Sequence, residues 1–187
     1  MKAWILSPCA GKFIIILQMF EQGLLGKQSG IEILKEIAMK KIIVAGHICL
    51  DITPVFPAQQ SYQEMSEALV PGKLVRMEGA DVHTGGSVAN TGLALKMLGN
   101  DVTLMGKVGA DAFGSMIQNI LRTHGVGGLL TDPASATSYS VVLAVPGIDR
   151  IFLHNPGAND TFVSTDIPES MLEDADLLHF GYPPLMK

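Results

Sequence analysis

The sequence predicts an α/β fold: a mostly parallel sheet flanked by helices, with a small antiparallel β lid. Three features point to it. Apolar, β-branched runs end in glycine at 41–46, 101–106 and 176–181, as expected of strands buried on both faces. Helical periodicity follows the first two of these runs, which is the strand–helix grammar of right-handed crossovers. Residues 138–145 then turn at Pro146-Gly147 and return as 150–154, the pattern of an antiparallel hairpin.

Composition bounds the possibilities. At 187 residues, 48% hydrophobic and 17% charged, the chain suits one domain with a proper core. Its net charge of -5 comes without runs of like sign, so capture of nucleic acid is not expected. Cys9 and Cys49 lie far apart at no metal or redox spacing, which fits a reducing, cytoplasmic setting and excludes a disulfide scaffold. The apolar run at 13–20 falls short of the roughly 20 residues of a membrane span, and no membrane association is expected. His47, His83, His124, His154 and His179 show no ligand spacing, so no metal site is expected. The ten methionines read as core filler.

Taken in order, residues 1–38 are chopped by Pro8, Gly11, Gly23, Gly26 and Gly30, with a short helix at 31–38. This leader has no clear role and reads as an appended segment or a start-site artefact, so the fold is argued from 39–187. Strand 41–46 delivers Asp51 to the sheet edge where α/β proteins bind ligands. Residues 52–84 form an irregular, proline-broken excursion with one candidate strand at 74–77, of the kind that serves as a lid. The next helix places Leu93, Met97, Ala94 and Leu98 on a sheet-facing side and ends at Gly99. After strand 101–106, Asp111 caps a helix over 112–123 with Met116, Ile117, Ile120 and Leu121 on one stripe. A polar loop at 155–160, a short helix at 170–175 and strand 176–181 complete the chain.

The candidate site centres on Gly85-Gly86-Ser87-Val88-Ala89-Asn90. Paired glycines let backbone approach a ligand closely, and the helix N-terminus behind them offers free N–H groups to oxygen-rich molecules. On position alone Asp51 either reads a ligand or braces a turn. Ser87 either faces a ligand or caps the helix. Tyr139 and His154 on the hairpin face either a ligand or solvent and lid packing. No catalytic residue is assigned.

Together these residues resemble the ribokinase-like (PfkB) sugar kinases over about residue 40 to the end. The resemblance rests on the strand into Gly46 with Asp51 beyond, on Gly85-Gly86 with Asn90, and on Gly99 and Gly109 at the intervals of the family's N-terminal signature. Gly109-Ala110-Asp111-Ala112-Phe113-Gly114, the hairpin, and Pro156-Gly157-Ala158-Asn159 extend it. Ser87 stands where ribokinases proper typically carry lysine, which leaves the sugar open.

The resemblance implies a ribokinase-like fold with an incomplete sheet and lid elements at about 52–84 and 137–155. It implies sugar contacts from Asp51, Gly85, Gly86 and Asn90, with lesser contacts from Ser87, Tyr139, His154 and Asn159. The family's ATP site, with Mg2+ and the catalytic aspartate, lies in a Gly-Ala-Gly-Asp half that this sequence lacks. Neither a P-loop nor a dinucleotide fingerprint replaces it. The expectation is the sugar-binding half of an ATP-dependent carbohydrate kinase, inactive alone, binding ATP and Mg2+ poorly and pairing as a homodimer through the lid. The alternatives are a non-catalytic sugar-binding or regulatory module and, from βαβ grammar only, a Rossmann-type nucleotide binder.

Overall fold

The computed structural model describes residues 40–57, 63, 70–145 and 147–183. The leader at 1–38 and its short helix lie outside the described residues, as do 58–62 and 64–69 of the excursion, Pro146 of the hairpin turn, and 184–187.

The central sheet is parallel. β1 (Lys41–Gly46) lies between β4 (Asp101–Met105) and β9 (Leu177–Gly181). β1 reads as an unbroken apolar run because both its faces are covered. Ile42 and Val44 point into a cluster with Val88, Ala89, Val102, Leu104, Ile117 and Leu121. Ile43 and Ala45 point the other way, onto Met105 and Phe162. The result is three layers, with α1 (Gly86–Met97) and α2 (Ala112–Thr123) contributing to the first cluster and α3 (Glu169–Glu173) lying by the second.

α2 has the predicted bounds, with Asp111 as its N-cap accepting from Gly114 N–H at 2.8 Å. Its stripe holds at Ile117 and Leu121, while Met116 is exposed. The face of α1 is a correction. Leu93 packs partly buried against the core as expected, but Ala94, Met97 and Leu98 are exposed, and the helix buries Ser87, Val88, Ala89 and Gly92. Gly92 packs directly on Leu104, where a Cβ would overlap a methyl group. Small residues let this helix lie close to the sheet, so its contact face is written in residue size and not in apolar periodicity.

The excursion is also more regular than its composition predicts. Its ends are strands, β2 (Cys49–Val55) and β3 (Gly79–Gly85), whereas 74–77 has no strand. They join β7 (Tyr139–Leu143) and β8 (Ile151–Asn155) in a four-stranded sheet of order β3-β2-β7-β8. The β2–β3 and β7–β8 pairs are antiparallel, but β2 and β7 run parallel, so this lid sheet is mixed. Pro54 is tolerated because pairing with β7 stops at Ile52, leaving no ladder bond for its missing N–H to break on that side. A short parallel pair, β5 (Lys107–Gly109) with β6 (Leu130–Asp132), extends the core. The polar loop at 155–160 contains a 3-10 turn, Gly157–Thr161, that buries Ala158 and Asn159.

Candidate active site

The site lies where the central sheet hands over to the lid sheet. Gly46 ends β1 in a left-handed conformation, φ 121°, and packs so tightly on Gly181 of β9 that a Cβ would overlap its carbonyl. The chain reverses through His47 and Ile48 into β2, which carries Asp51. β3 comes back beside β2 with Cys49 opposite Gly85 and Asp51 opposite His83. β3 then runs straight into α1 at Gly86, whose φ of 84° makes the corner.

Asp51 and Gly85 are in direct contact. A Cβ on Gly85 would lie 2.7 Å from Oδ1 and 2.5 Å from the carboxyl carbon of Asp51. Gly86 is pressed equally hard on His47, where a Cβ would lie 2.5 Å from the carbonyl oxygen and 2.7 Å from Nδ1. Both glycines are therefore required by space, and Gly86 by its dihedral as well. Val88 N–H is occupied by the His47 carbonyl at 3.1 Å. Asn90, one turn along α1, is exposed.

Register places further polar side chains beside Asp51. Ser140 pairs with Asp51 across β2–β7, and His154 pairs with Ser140 across β7–β8, so His83, Asp51, Ser140 and His154 form one row across four strands. Cys49, two residues before Asp51, shares its face, and its thiol donates to Asp51 Oδ1 at 3.2 Å. Ser140 Oγ and His154 Nδ1 lie 3.0 Å apart, and His154 Nε2 lies 3.4 Å from His47 Nε2. Burial, reinforced by His154, pushes the His47 imidazole down to about 4, so it is neutral at physiological pH. Burial and then the Asp51 charge push the Cys49 thiol up, so it keeps its proton.

Thus the structure brings Asp51, Gly85, Gly86 and His154 together, with Asn90 following on the same helix. Ser87 is buried with its hydroxyl unpartnered, against Gly181, so it neither caps α1 nor lies open on the surface. Tyr139 is in register with Leu50 and packs edge-on against Phe113 at 5.5 Å, on the core side of the lid sheet. Asn159 is fully buried and closed on the backbone of Ile48, accepting its N–H at 3.1 Å and donating to its carbonyl at 2.9 Å. It staples the β1–β2 reversal. Asp111 is likewise structural: besides capping α2 it accepts from Thr137 N–H and Oγ1 at 2.8 and 2.6 Å.

Sequence reasoning missed His47, Cys49, Ser140 and Tyr182. Tyr182 follows β9 with φ 57°, a left-handed non-glycine residue, its ring 6.1 Å from that of His47. Only the i, i+2 spacing of Cys49 and Asp51 was a usable signal; the other neighbours come from distant strands. Among the described residues no three His, Cys, Asp or Glu side chains converge as a metal site would require. No helix among them is long and apolar enough to cross a membrane.

Residues 39–186 match a family model described as pfkB family carbohydrate kinase. Fructokinase-1 of Zea mays is 32% identical over 101 residues, covering 52% of this chain and 31% of that protein. Among solved structures, ribokinase from Giardia lamblia superposes with a TM-score of 0.63 at 19% identity, over 76% of this chain and 44% of that one. A fructokinase from Xylella fastidiosa with bound ATP gives 0.59 at 21% identity, over 76% and 42%. At these identities the likeness establishes the ribokinase-like fold. The matched segment spans about a third of the curated relative and the chain less than half of the solved ones.

Proposed function

Because the chain belongs to the pfkB family of carbohydrate kinases, we propose that it is the sugar-binding portion of an ATP-dependent carbohydrate kinase, inactive in phosphoryl transfer by itself. The observation that carries this reading is the Asp51 carboxylate held against Gly85 beside the start of α1. A carboxylate accepts from two neighbouring hydroxyls at once, which suits a sugar diol better than any single acceptor. Asn90 both donates and accepts, so it reads a further hydroxyl from the same helix. Gly85 and Gly86 keep the site free of side-chain bulk where a sugar ring must approach backbone. The fructokinases among the relatives make D-fructose the first sugar to try.

Catalysis in such an enzyme is chiefly positioning and charge stabilisation. In this chain Asp51 and Asn90 orient the sugar, and the β3-β2-β7-β8 sheet covers it and excludes water. ATP with Mg2+ supplies the phosphoryl group in the complete enzyme. Among the described residues no three His, Cys, Asp or Glu side chains converge to hold that cation. The same reading places the protein in the cytoplasm and leaves the lid sheet, with Ile151 and Leu153 exposed on β8, as the face for a homodimer.

Isothermal titration of the full chain with D-fructose and a panel of neutral sugars tests the reading. Saturable binding that is lost in Asp51→Ala is expected, and absence of binding to every sugar would overturn it. Sustained sugar-dependent ATP turnover by the purified chain would overturn the claim of inactivity.

A further inference from the structure

Asp51 is not held by its own strand alone. Its Oδ1 is engaged by Cys49, Cys49 lies beside Ser140, Ser140 bonds His154, and His154 meets His47. These five side chains come from β2, β7, β8 and the β1–β2 reversal. We infer that Cys49, Ser140, His154 and His47 form a directional hydrogen-bond relay that positions the Asp51 carboxylate and ties it to lid strand β8.

Valence fixes the first donor, and the proposed direction runs on from it. An aspartate carboxylate has no proton to give, so the Cys49 thiol is the donor at 3.2 Å. With its single proton spent, Cys49 Sγ accepts from the Ser140 hydroxyl across a long 4.0 Å contact. Ser140 has then also spent its proton, so its oxygen accepts from His154 Nδ1–H at 3.0 Å. A His154 ring carrying its proton on Nδ1 has a bare Nε2, which accepts from His47 Nε2–H at 3.4 Å. The same ordering assigns a lone pair to His47 Nδ1, the buried atom that faces Gly86 and has no partner.

All donors therefore point toward one carboxylate, and Oδ1 is held while Oδ2 stays against Gly85. His154 reaches Ser140 because the two are register partners in the β7–β8 ladder, so the contact from β8 to Asp51 runs through the sheet itself. The relay thus ties the orientation of the Asp51 carboxylate to a side chain on β8. This inference rests on the sugar-binding reading for its purpose, but its geometry is testable without a sugar. Cys49, Ser140, His154 and His47 are positioning residues in this scheme.

The test is long-range 15N–1H correlation NMR on the full chain labelled at histidine nitrogens, without ligand, followed by titration with D-fructose. The expected result is His154 protonated on Nδ1 and His47 on Nε2. Cys49→Ala should release the Ser140 hydroxyl to donate to His154, shifting that ring toward its Nε2–H tautomer and weakening fructose binding about tenfold, a typical loss for a charge-assisted bond. Cys49→Ser, which keeps a donor, should restore both. An Nε2–H tautomer for His154 in the parent chain, or an unchanged tautomer in Cys49→Ala, would overturn the relay. The stated tautomers in a chain that binds no sugar would support the relay and overturn the sugar reading.

Discussion

Replacing Gly85 by alanine should disable sugar binding through a side chain on the neighbouring strand. The new Cβ would sit 2.5 Å from the carboxyl carbon of Asp51, against about 3.4 Å for ordinary contact. The backbone of Gly85 is extended, φ -119°, so alanine meets no conformational penalty there, and the conflict is wholly with the carboxylate. Asp51 must retreat by roughly an ångström, which breaks the 3.2 Å bond from Cys49 and moves both oxygens away from where the proposed sugar hydroxyls would meet them. Each hydrogen bond to a charged group is worth about 1.5–3 kcal/mol, so losing one or two predicts a fall in affinity of at least tenfold. Overpacking adds about 1–3 kcal/mol of destabilisation. Gly79→Ala on the same strand is the control, because nothing lies within 4 Å of its Cβ position. Calorimetric titration with D-fructose and urea unfolding of both variants decide the matter. A Gly85→Ala chain that binds fructose within twofold of the parent would refute the reasoning.

Three further outcomes are expected. Asn159→Ala strands both the N–H and the carbonyl of Ile48 in the core, so urea unfolding should show a loss of about 2–5 kcal/mol. Asp111→Ala should cost about 1–2 kcal/mol as a lost cap. It should also flatten the acid limb of stability. Burial opposes ionisation of Asp111, but the Thr137 hydroxyl and the backbone N–H groups outweigh it and hold the carboxyl below its usual range. The parent therefore has this contribution above about pH 4 and loses it as pH falls through the lower folded value, which urea midpoints at stepped pH will show. On β8, Ile151 and Leu153 are 45% and 55% exposed on the face proposed for the homodimer, so Ile151→Ser with Leu153→Lys should reduce self-association in light scattering without abolishing folding.

Legibility varied with how far each neighbour lies along the chain. β1, α2 and the hairpin stood out because each satisfies its own periodicity: an unbroken apolar run, a helical stripe behind an Asp cap, and alternating residues about a turn. β2 and β3 were obscured by Pro54 and by a β3 that is mostly exposed, so no hydrophobic alternation marked them. The contact face of α1 was misread because Val88, Ala89 and Gly92 face the sheet through small size while Met97 and Leu98 lie in the open.

By itself the sequence determined that the fold is α/β, where its principal strands and helices run, and that Gly85-Gly86 with Asp51 resembles the N-terminal signature of the family. Those properties depend on local periodicity and on residue types a few positions apart. Only the tertiary structure decided that Gly85 is required by the Asp51 carboxylate and that Asn159 is a core staple. It alone placed Cys49, Ser140, His154 and His47 in one file behind that carboxylate. The reason is register: which residues of β2, β3, β7 and β8 stand opposite one another is set by strand pairing between residues as far apart as Asp51 and Ser140, and no local pattern encodes it.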